Sequence, residues 1–181
     1  CACAGYARRN LSLFDEVCLI TNSETLQSEE KLINEYFDNV IVSDNFQPEN
    51  IRLFKDTTDK LEYAPFKNMS RSEVYKLSPY DETLVIDADY FIMNDILDQV
   101  WNSDNDVMIN SKYRDISGRH QENIEYIDNF SIPMYWATVF YFKKSDFAEN
   151  LFTLISHIKY NYKYYYYLYN INDNPKYCPH T

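Results

Sequence analysis

Glycine is almost absent from this chain, which has two glycines among its 181 residues. The Walker loop and the GxGxxG turn both rely on glycines to bring backbone N–H groups against a phosphate. So few glycines exclude Gly-rich phosphate loops of either kind. A phosphate group that binds this protein must therefore be held in another way.

Basic residues are also scarce, because 17 Lys and Arg face 28 Asp and Glu and leave a formal net charge of −11. A nonspecific nucleic-acid binder needs a basic surface to neutralise phosphates, so we expect no nucleic-acid partner. An acidic protein that handles an anionic nucleotide needs a divalent cation or local basic residues to offset the repulsion. Any phosphate site in this chain must therefore include one of these.

Metal-binding cysteine pairs and long apolar runs are missing too. The chain has four cysteines: Cys1, Cys3, Cys18 and Cys178. They form no CxxC pair and have no His at zinc spacing, so we interpret them as free thiols. No run approaches the roughly 20 apolar residues of a membrane span. We therefore expect no membrane span and a cytoplasmic location.

The overall composition is typical of a folded domain, since 45% of the residues are hydrophobic, 17% aromatic and 25% charged. At this length one domain can bury a core, and neither a linker nor an internal repeat divides the sequence. We therefore expect residues 1–181 to form one domain.

The order of predicted elements is typical of an α/β protein. Residues 1–13 have the pattern of the end of a helix, 16–21 and 39–43 are compact apolar strands, and a helix capped by Asn22 or Ser23 lies between them. Alternating helices and strands predict a mostly parallel central sheet flanked by helices.

Further elements lie around one central stretch. Residues 44–67 are polar and irregular apart from a short apolar run at 51–54, which predicts a functional excursion or a family-specific insertion. The S-x-x-E pattern at Ser70 and Glu73 predicts a capping box that opens a short helix. Beyond them we expect strands at 84–86, 106–110 and 137–142, a polar loop at 111–130 over the site, and a long amphipathic helix from Phe147 to Tyr169.

The stretch from 81 to 99, DETLVIDADYFIMNDILDQ, contains the chemically informative residues. A buried strand ends there in Asp87, Ala88 and Asp89. Because successive strand residues point to opposite faces, we expect the two carboxylates to share one side. They are hard oxygen ligands for Mg²⁺ or Mn²⁺, and such a cation can bridge the phosphates of a nucleotide diphosphate. An isolated D-x-D also occurs in solvated turns, but its place after a buried strand favours a metal site.

The wider segment ETLVIDADYFIMNDILDQVW resembles the metal-binding segment of GT-A glycosyltransferases. It is most similar to the glycogenin-like and galactosyltransferase-like group (glycosyltransferase family 8-like), in which D-A-D, an apolar trio and a downstream Asp recur together. Here D-A-D at 87–89, the trio 91–93 and Asp95 occupy those places. The resemblance implies a single GT-A domain with a Rossmann-like fold, in which Asp87 and Asp89 hold Mn²⁺ or Mg²⁺.

The same resemblance implies the substrates. The donor would be a nucleotide-diphosphate sugar, with a UDP-sugar expected, and the acceptor a carbohydrate or another hydroxyl compound. In the family a basic residue on the preceding helix contacts the donor's phosphates sixteen positions before the first Asp, and here that position is Arg71. Family members usually have Lys there. Arg preserves the charge but replaces a point charge by a planar fork.

A second landmark of the family, F-N-(A/S)-G-V, corresponds to the segment from Trp136 to Val139. Its Asn and Gly are missing here, which leaves the identity of the donor sugar open. The resemblance implies donor contacts from Trp136, Ala137 and Thr138, together with Arg71 and the D-A-D residues. Packing of Trp136 against the sheet is the alternative.

Two parts that the resemblance implies are not found in this sequence. The first strand, which binds the base, would precede Cys1, and the His that completes the metal site would come later. His180 lies in a Pro-flanked tail and is a poor substitute, His157 fits a solvated helix surface, and His120 has no partner at metal spacing. The third metal ligand stays unassigned.

The catalytic groups are also open. Inverting enzymes of this fold need a general base near the acceptor, whereas a retaining enzyme needs none. The polar loop that could supply a base contains Glu122, Glu125 and Asp128. We expect Asn94 or Asp95 to cap the helical turn that follows, and Asp95 to have this role rather than a contact with substrate.

Two other functions are compatible with the acid pair. In a haloacid-dehalogenase-like phosphatase the first Asp of D-x-D attacks phosphate, but that motif requires Gly and then Thr or Val after the second Asp and lies near the chain start. Here Tyr90 and Phe91 follow, and more than eighty residues precede. A truncated transferase-like domain that serves only as an interaction module is the non-enzymatic alternative.

Overall fold

The computed structural model describes residues 1–44, 51–55, 61–65, 68–111, 135–161, 164, 165 and 168. The α-helices in these ranges are α1 (Ala2–Asn10), α2 (Ser23–Tyr36), α3 (Val74–Leu77) and α4 (Asp146–Tyr160). The strands are β1 (Cys18–Thr21), β2 (Asn39–Val42), β3 (Ile51–Lys55), β4 (Leu61–Pro65), β5 (Glu82–Ile86), β6 (Val107–Asn110) and β7 (Trp136–Lys143). Two 3₁₀ helices span Asn68–Glu73 and Ile96–Asn102. None of the helices in these ranges is long and apolar enough to cross a membrane.

The strands form three small sheets. β1 pairs with β2 in parallel, from Cys18 opposite Asn39 to Thr21 opposite Val42. β3 and β4 are antiparallel, and β5, β7 and β6 form an antiparallel sheet in which β7 is central. The mixture of helices and strands confirms the α/β class. The strands of the described ranges do not join into the mostly parallel central sheet that the sequence predicted, because β7 runs antiparallel to both of its neighbours.

The polar stretch 44–67, predicted as an irregular excursion, contains β3 and β4. Ile51 pairs with Pro65 and Lys55 with Leu61, so the two strands form an antiparallel ladder. Backbone pairing satisfies N–H and C=O groups without requiring an apolar run of side chains. β3 contains the short apolar run at 51–54, whereas β4 follows no such run, and the pairing of the two was not predicted.

Each face of the three-stranded sheet packs against a separate apolar cluster. On β5 successive residues alternate, so that Val85 faces one cluster while Leu84 and Ile86 face the other. The first cluster joins α3, α4 and β7 through the buried residues Val74, Phe140, Phe142 and Phe152. The buried residues of the second cluster are Ala7, Leu11 and Ile92. α1 therefore packs on the face of β5 opposite to α3 and α4.

The starts of α2 and α3 show how well local sequence patterns predicted the helix caps. Asn22 caps α2 as predicted, since its side chain accepts a hydrogen bond from the Thr25 N–H at 2.8 Å. Ser70, predicted to cap a short helix, instead lies inside the 3₁₀ helix Asn68–Glu73, which continues into α3. The capping-box pattern thus marks helical chain, but the helical backbone begins before Ser70.

α4 ends at Tyr160, whereas its periodicity predicted one helix as far as Tyr169. At Asn161 the backbone N–H and the side-chain amide both donate to the His157 carbonyl, at 3.1 and 2.8 Å. Asn side chains compete for backbone groups in this way, which disfavours continuation of a helix. The chain is helical again at Tyr164.

Phe152 and Phe147 provide a matched test of which side of α4 belongs to the core. Phe152 is 7% exposed, and Phe147 on the same helix is 61% exposed. We expect Phe152→Ala to lower the free energy of unfolding by about 3–5 kcal/mol, because it removes buried apolar area and leaves a cavity. Phe147→Ala should change it by less than about 0.5 kcal/mol. Urea unfolding followed by circular dichroism measures both, and equal losses would contradict the packing of α4.

Candidate metal and phosphate site

β5 places the acid pair at the end of the three-stranded sheet. The strand ends at Ile86, and the Asp87 N–H still donates to the Thr138 carbonyl of β7 at 2.9 Å. The Tyr90 N–H then donates to the Asp87 carbonyl at 3.0 Å, which closes a turn. The chain therefore leaves the sheet directly after Asp87. Asp89 lies in a turn and not in a strand, so the alternation of side chains along a strand, from which the two carboxylates were expected to share one side, does not apply to the acid pair.

Arg71 and Asp87, which are 16 residues apart in sequence, form an ion pair. The guanidinium Nη2 of Arg71 donates to Oδ1 of Asp87. Both side chains are partly covered, with 25% of Arg71 and 26% of Asp87 exposed. Ala88 and Asp89 are exposed in the adjoining turn. The structure thus brings the predicted phosphate ligand against the first predicted metal ligand.

The backbone that carries Arg71 is attached to α4. Arg71 belongs to the 3₁₀ helix Asn68–Glu73, directly before α3. Lys159 of α4 donates to the Ser72 hydroxyl at 2.8 Å and lies 3.6 Å from the Glu73 carboxylate. The two residues that follow Arg71 are therefore tied to a helix of the core.

Sequence reasoning did not identify Lys159, although a signal was present. Lys159 follows Phe152 by seven residues and Ile155 by four, which places it on the apolar side of α4. Both of those residues pack in the core. A lysine on a buried helix face requires polar partners, and here the partners flank Arg71.

α1 lies beside the chain that follows the acid pair, where the Tyr6 ring meets the Phe91 ring edge on, with the centroids 5.5 Å apart. Burial raises the pKa of Cys3, the N-terminal ammonium lowers it, and the charges of Asp89 and Asp87 raise it further. Both carboxylates therefore act on the same thiol. The end of β5, the turn and the first residues of α1 thus border one region of the surface.

The acid pair has the donor type that a hard divalent cation prefers. Mg²⁺ and Mn²⁺ bind carboxylate oxygens, and Asp87 can use Oδ2 for a cation while Oδ1 accepts from Arg71. Within the described ranges no three His, Cys, Asp or Glu side chains are grouped closely enough to hold a metal ion. A cation held by Asp87 and Asp89 would therefore take its other ligands from outside this set of side chains, for example from phosphate oxygens and water.

The three residues that the resemblance assigned to the donor lie at the start of β7. Trp136 is half-buried and pairs with Asn110 beside a shift of register. Ala137 packs against the core cluster on the α3 and α4 side. Thr138 borders the acid pair through its carbonyl, which accepts from the Asp87 N–H. Thr138 is thus next to the site, and donor contacts from Trp136 and Ala137 stay predictions.

The sequence predicted that either Asn94 or Asp95 caps the helical turn after the acid pair. Asp95 stands at the N-cap position of the 3₁₀ helix Ile96–Asn102, but its side chain makes no cap hydrogen bond. The Asn94 side chain instead accepts from the Ile96 N–H at 3.2 Å. The capping site is therefore confirmed, and the side chain that serves it is Asn94.

Several predicted residues lie outside the part of the chain that the structure describes. They are the general-base candidates Glu122, Glu125 and Asp128, the histidines His120 and His180, and Cys178. His157 is exposed on α4, as predicted, with its ring centroid 6.0 Å from that of Tyr165. Cys1, Cys3 and Cys18 are free thiols, which confirms the prediction for these three.

Comparisons of the chain with protein-family models, with curated proteins and with solved structures give no match. The likeness to GT-A glycosyltransferases therefore rests on the sequence segments quoted above. The glycosyltransferase function that this likeness implies is therefore a proposal.

The Cys3 thiol provides a test of the position of the acid pair. Because the carboxylates raise its pKa, Asp89→Asn should lower that pKa, increase the thiolate fraction near neutral pH and speed alkylation of Cys3. Asp95→Asn removes a carboxylate that is not among the charges acting on Cys3 and should have a smaller effect. Iodoacetamide modification followed by mass spectrometry of the Cys3 peptide measures the rates. A slower reaction in Asp89→Asn would contradict the placement of α1 beside the acids.

Proposed function

We propose that this chain is a metal-dependent glycosyltransferase of the GT-A type, which moves a sugar from a nucleotide-diphosphate sugar to an acceptor hydroxyl. The observation that carries the proposal is the ion pair between Arg71 and Asp87. The resemblance assigns one of these residues to phosphate and the other to metal, and they are in direct contact at the end of β5. In a chain of net charge −11, a cationic group beside the acids is what an anionic diphosphate requires.

Arg71 is suited to hold a diphosphate. Its planar guanidinium carries five N–H donors, and Nη2 is the nitrogen that bonds to Asp87. The other donors can bind phosphate oxygens while Asp87 keeps the plane of the group oriented. The bond from Lys159 to Ser72 restrains the backbone beside it. Arg71 would thus meet the donor from a preorganised position, which reduces the entropy lost on binding.

Asp87 and Asp89 would hold Mn²⁺ or Mg²⁺ on the diphosphate. When bound, the cation supplies Lewis-acid neutralisation of the charge that develops on the leaving diphosphate. The Asp87 carboxylate is oriented by Arg71, and its backbone is paired with Thr138. Asp89 is exposed and so is accessible from solvent. The resemblance that supports this assignment also makes a UDP-sugar the first donor to examine.

A panel of nucleotide sugars with Mn²⁺ tests the proposal. We expect the wild-type chain to release nucleotide diphosphate from one of them, and Asp89→Ala to be at least about 100-fold slower because a group that holds the charge-neutralising cation is lost. Asp95→Ala is the matched control, since Asp95 is exposed and its side chain makes no cap hydrogen bond. It should release diphosphate at the wild-type rate. Equal turnover by wild type and Asp89→Ala would reject the metal assignment.

Two additional assays distinguish the transferase from a phosphatase and from a non-catalytic interaction module. Hydrolysis of a phosphate monoester with Mg²⁺ that is lost in Asp87→Asn would favour phosphatase chemistry, in which the first acid attacks phosphorus. Absence of turnover together with absence of Mn²⁺ binding would favour a non-catalytic interaction module. Release of diphosphate only from nucleotide sugars distinguishes the transferase from both.

Variants of Arg71 separate a role in donor binding from a role in folding. The pair with Asp87 is partly exposed, so we expect Arg71→Ala to change the free energy of unfolding by no more than about 1 kcal/mol. The donor KM should rise by about 10- to 100-fold, because charge-assisted hydrogen bonds to phosphate are lost. Arg71→Lys keeps the charge without the fork and should recover part of the affinity. Steady-state kinetics over donor concentration measures this, and an unchanged KM in Arg71→Ala would exclude a phosphate contact.

A further inference from the structure

The chain that follows the acid pair, residues 90–98, packs on the second apolar cluster through Ile92 and Leu97, and the Phe91 ring meets the Tyr6 ring of α1 edge on, with the centroids 5.5 Å apart. Ile92 is 2% exposed and belongs to the cluster that contains Ala7 of α1. Its neighbours Phe91 and Met93 are 59% and 72% exposed. Because much of Phe91 and Met93 stays exposed, polar contacts add to the apolar ones that hold this segment.

Two polar contacts attach the segment beside α1, one near each end. The Asn10 side-chain amide donates to the Ile92 carbonyl at 2.7 Å. At the other end the Asp98 carboxylate accepts from the Ser12 N–H and the Ser12 hydroxyl, each at 2.9 Å, and from the Leu13 N–H at 3.3 Å. The partners are more than 80 residues apart in sequence, so these contacts are tertiary and not local.

Asp98 is a buried acid whose partners are N–H and O–H groups. Burial opposes its charge and is the largest single influence, yet the hydrogen bonds from Ser12 and Leu13 together hold the pKa of Asp98 below its ordinary value. The carboxylate is therefore ionised near neutral pH. A charged acceptor makes stronger hydrogen bonds than a neutral one, so the contact restrains both chains firmly.

The position of Asp89 depends on the backbone on either side of it. Among the residues that the structure describes, its carboxylate has no hydrogen-bond or ion-pair partner. On the N-terminal side Asp87 is held by its pairing with β7. On the C-terminal side the restraints are the packing of Phe91 and Ile92 and the polar contacts made by Asn10 and Asp98. Loss of the Asp98 contacts would remove the restraint at the far end of this segment.

We propose that Asp98 is a positioning residue for the acid pair: by holding the chain after Asp89 against residues 12 and 13, it sets the separation of the Asp89 and Asp87 carboxylates and thereby their affinity for a divalent cation. This inference rests on the metal role assigned to the acids under the proposed function. Asp98 itself contacts neither cation nor donor. Residues that orient metal ligands commonly change metal affinity by about 10- to 100-fold when they are replaced.

Binding of Mn²⁺ to the full chain tests the proposal, with free Mn²⁺ measured by electron paramagnetic resonance at a temperature where circular dichroism shows each variant folded. We expect Asp98→Asn, which keeps the size of the side chain but removes its charge, to raise the Kd for Mn²⁺ about tenfold. Asp95→Asn removes the same charge nearer to the acids in sequence but from an exposed, screened position, and should leave the Kd within about twofold of wild type. Equal Kd values for wild type and Asp98→Asn would overturn the proposal.

Hydrogen exchange of the protein without metal separates positioning from a general loss of stability. We expect Asp98→Asn, and to a smaller extent Ser12→Ala, to speed amide exchange within residues 88–98 while β7 and α4 keep wild-type rates. An equal increase throughout the chain would show a merely structural role and overturn the proposal. If the wild type binds no Mn²⁺, the proposed function loses its metal assignment, and the exchange comparison alone decides whether Asp98 positions the turn.

Discussion

The pairing of β5 with β7 is the constraint on which the rest of the described structure depends. β7 is the central strand of its sheet, and its residues Tyr141 and Phe142, which point to opposite faces, are almost fully buried. Because β5 runs beside it from Glu82 to Ile86, the alternation of β5 assigns α3 and α4 to one face and α1 to the other. The same register continues to Asp87 and decides where the chain leaves the sheet. The position of the candidate site is therefore a consequence of how the core packs.

Regular hydrophobic patterns account for the part of the fold that could be predicted from sequence. β1, β2, β5, β6 and β7 lie in the predicted stretches because each is a short apolar run between polar residues. The antiparallel direction of β6 and β7 could not be predicted, since an apolar run carries no record of which way its neighbour runs. The end of α4 was missed for a different reason: the apolar period continues past Asn161, but the side chain of Asn161 competes for the last carbonyl.

Within the site, the acids could be found from local sequence and their partners could not. A buried strand followed by D-A-D identifies Asp87 and Asp89, yet alternation holds only while the backbone stays extended, so the turn after Asp87 was not foreseen. Arg71 was selected through a spacing in the resembled family, and neither its contact with Asp87 nor the bond from Lys159 of α4 to the adjacent Ser72 could be foreseen from local sequence. No local sequence pattern identified Asp98, because its three hydrogen-bond donors belong to Ser12 and Leu13, more than 80 residues earlier in the chain.

Asp87 and Asp98 are held in opposite ways, and the difference suits a site that must keep its shape while it exchanges ligands. The pair of Asp87 with Arg71 is one-quarter exposed, so separating it costs no more than about 1 kcal/mol. Asp98 is buried and accepts from backbone N–H groups that would lose their partner without it. Rearrangement is therefore easy where ligands approach and difficult where the chain is anchored. In the proposed site the N–H groups of Arg71 that do not bond to Asp87 would meet the phosphate, while the path of the chain through Asp89 stays fixed, which is the condition for a preorganised cation site.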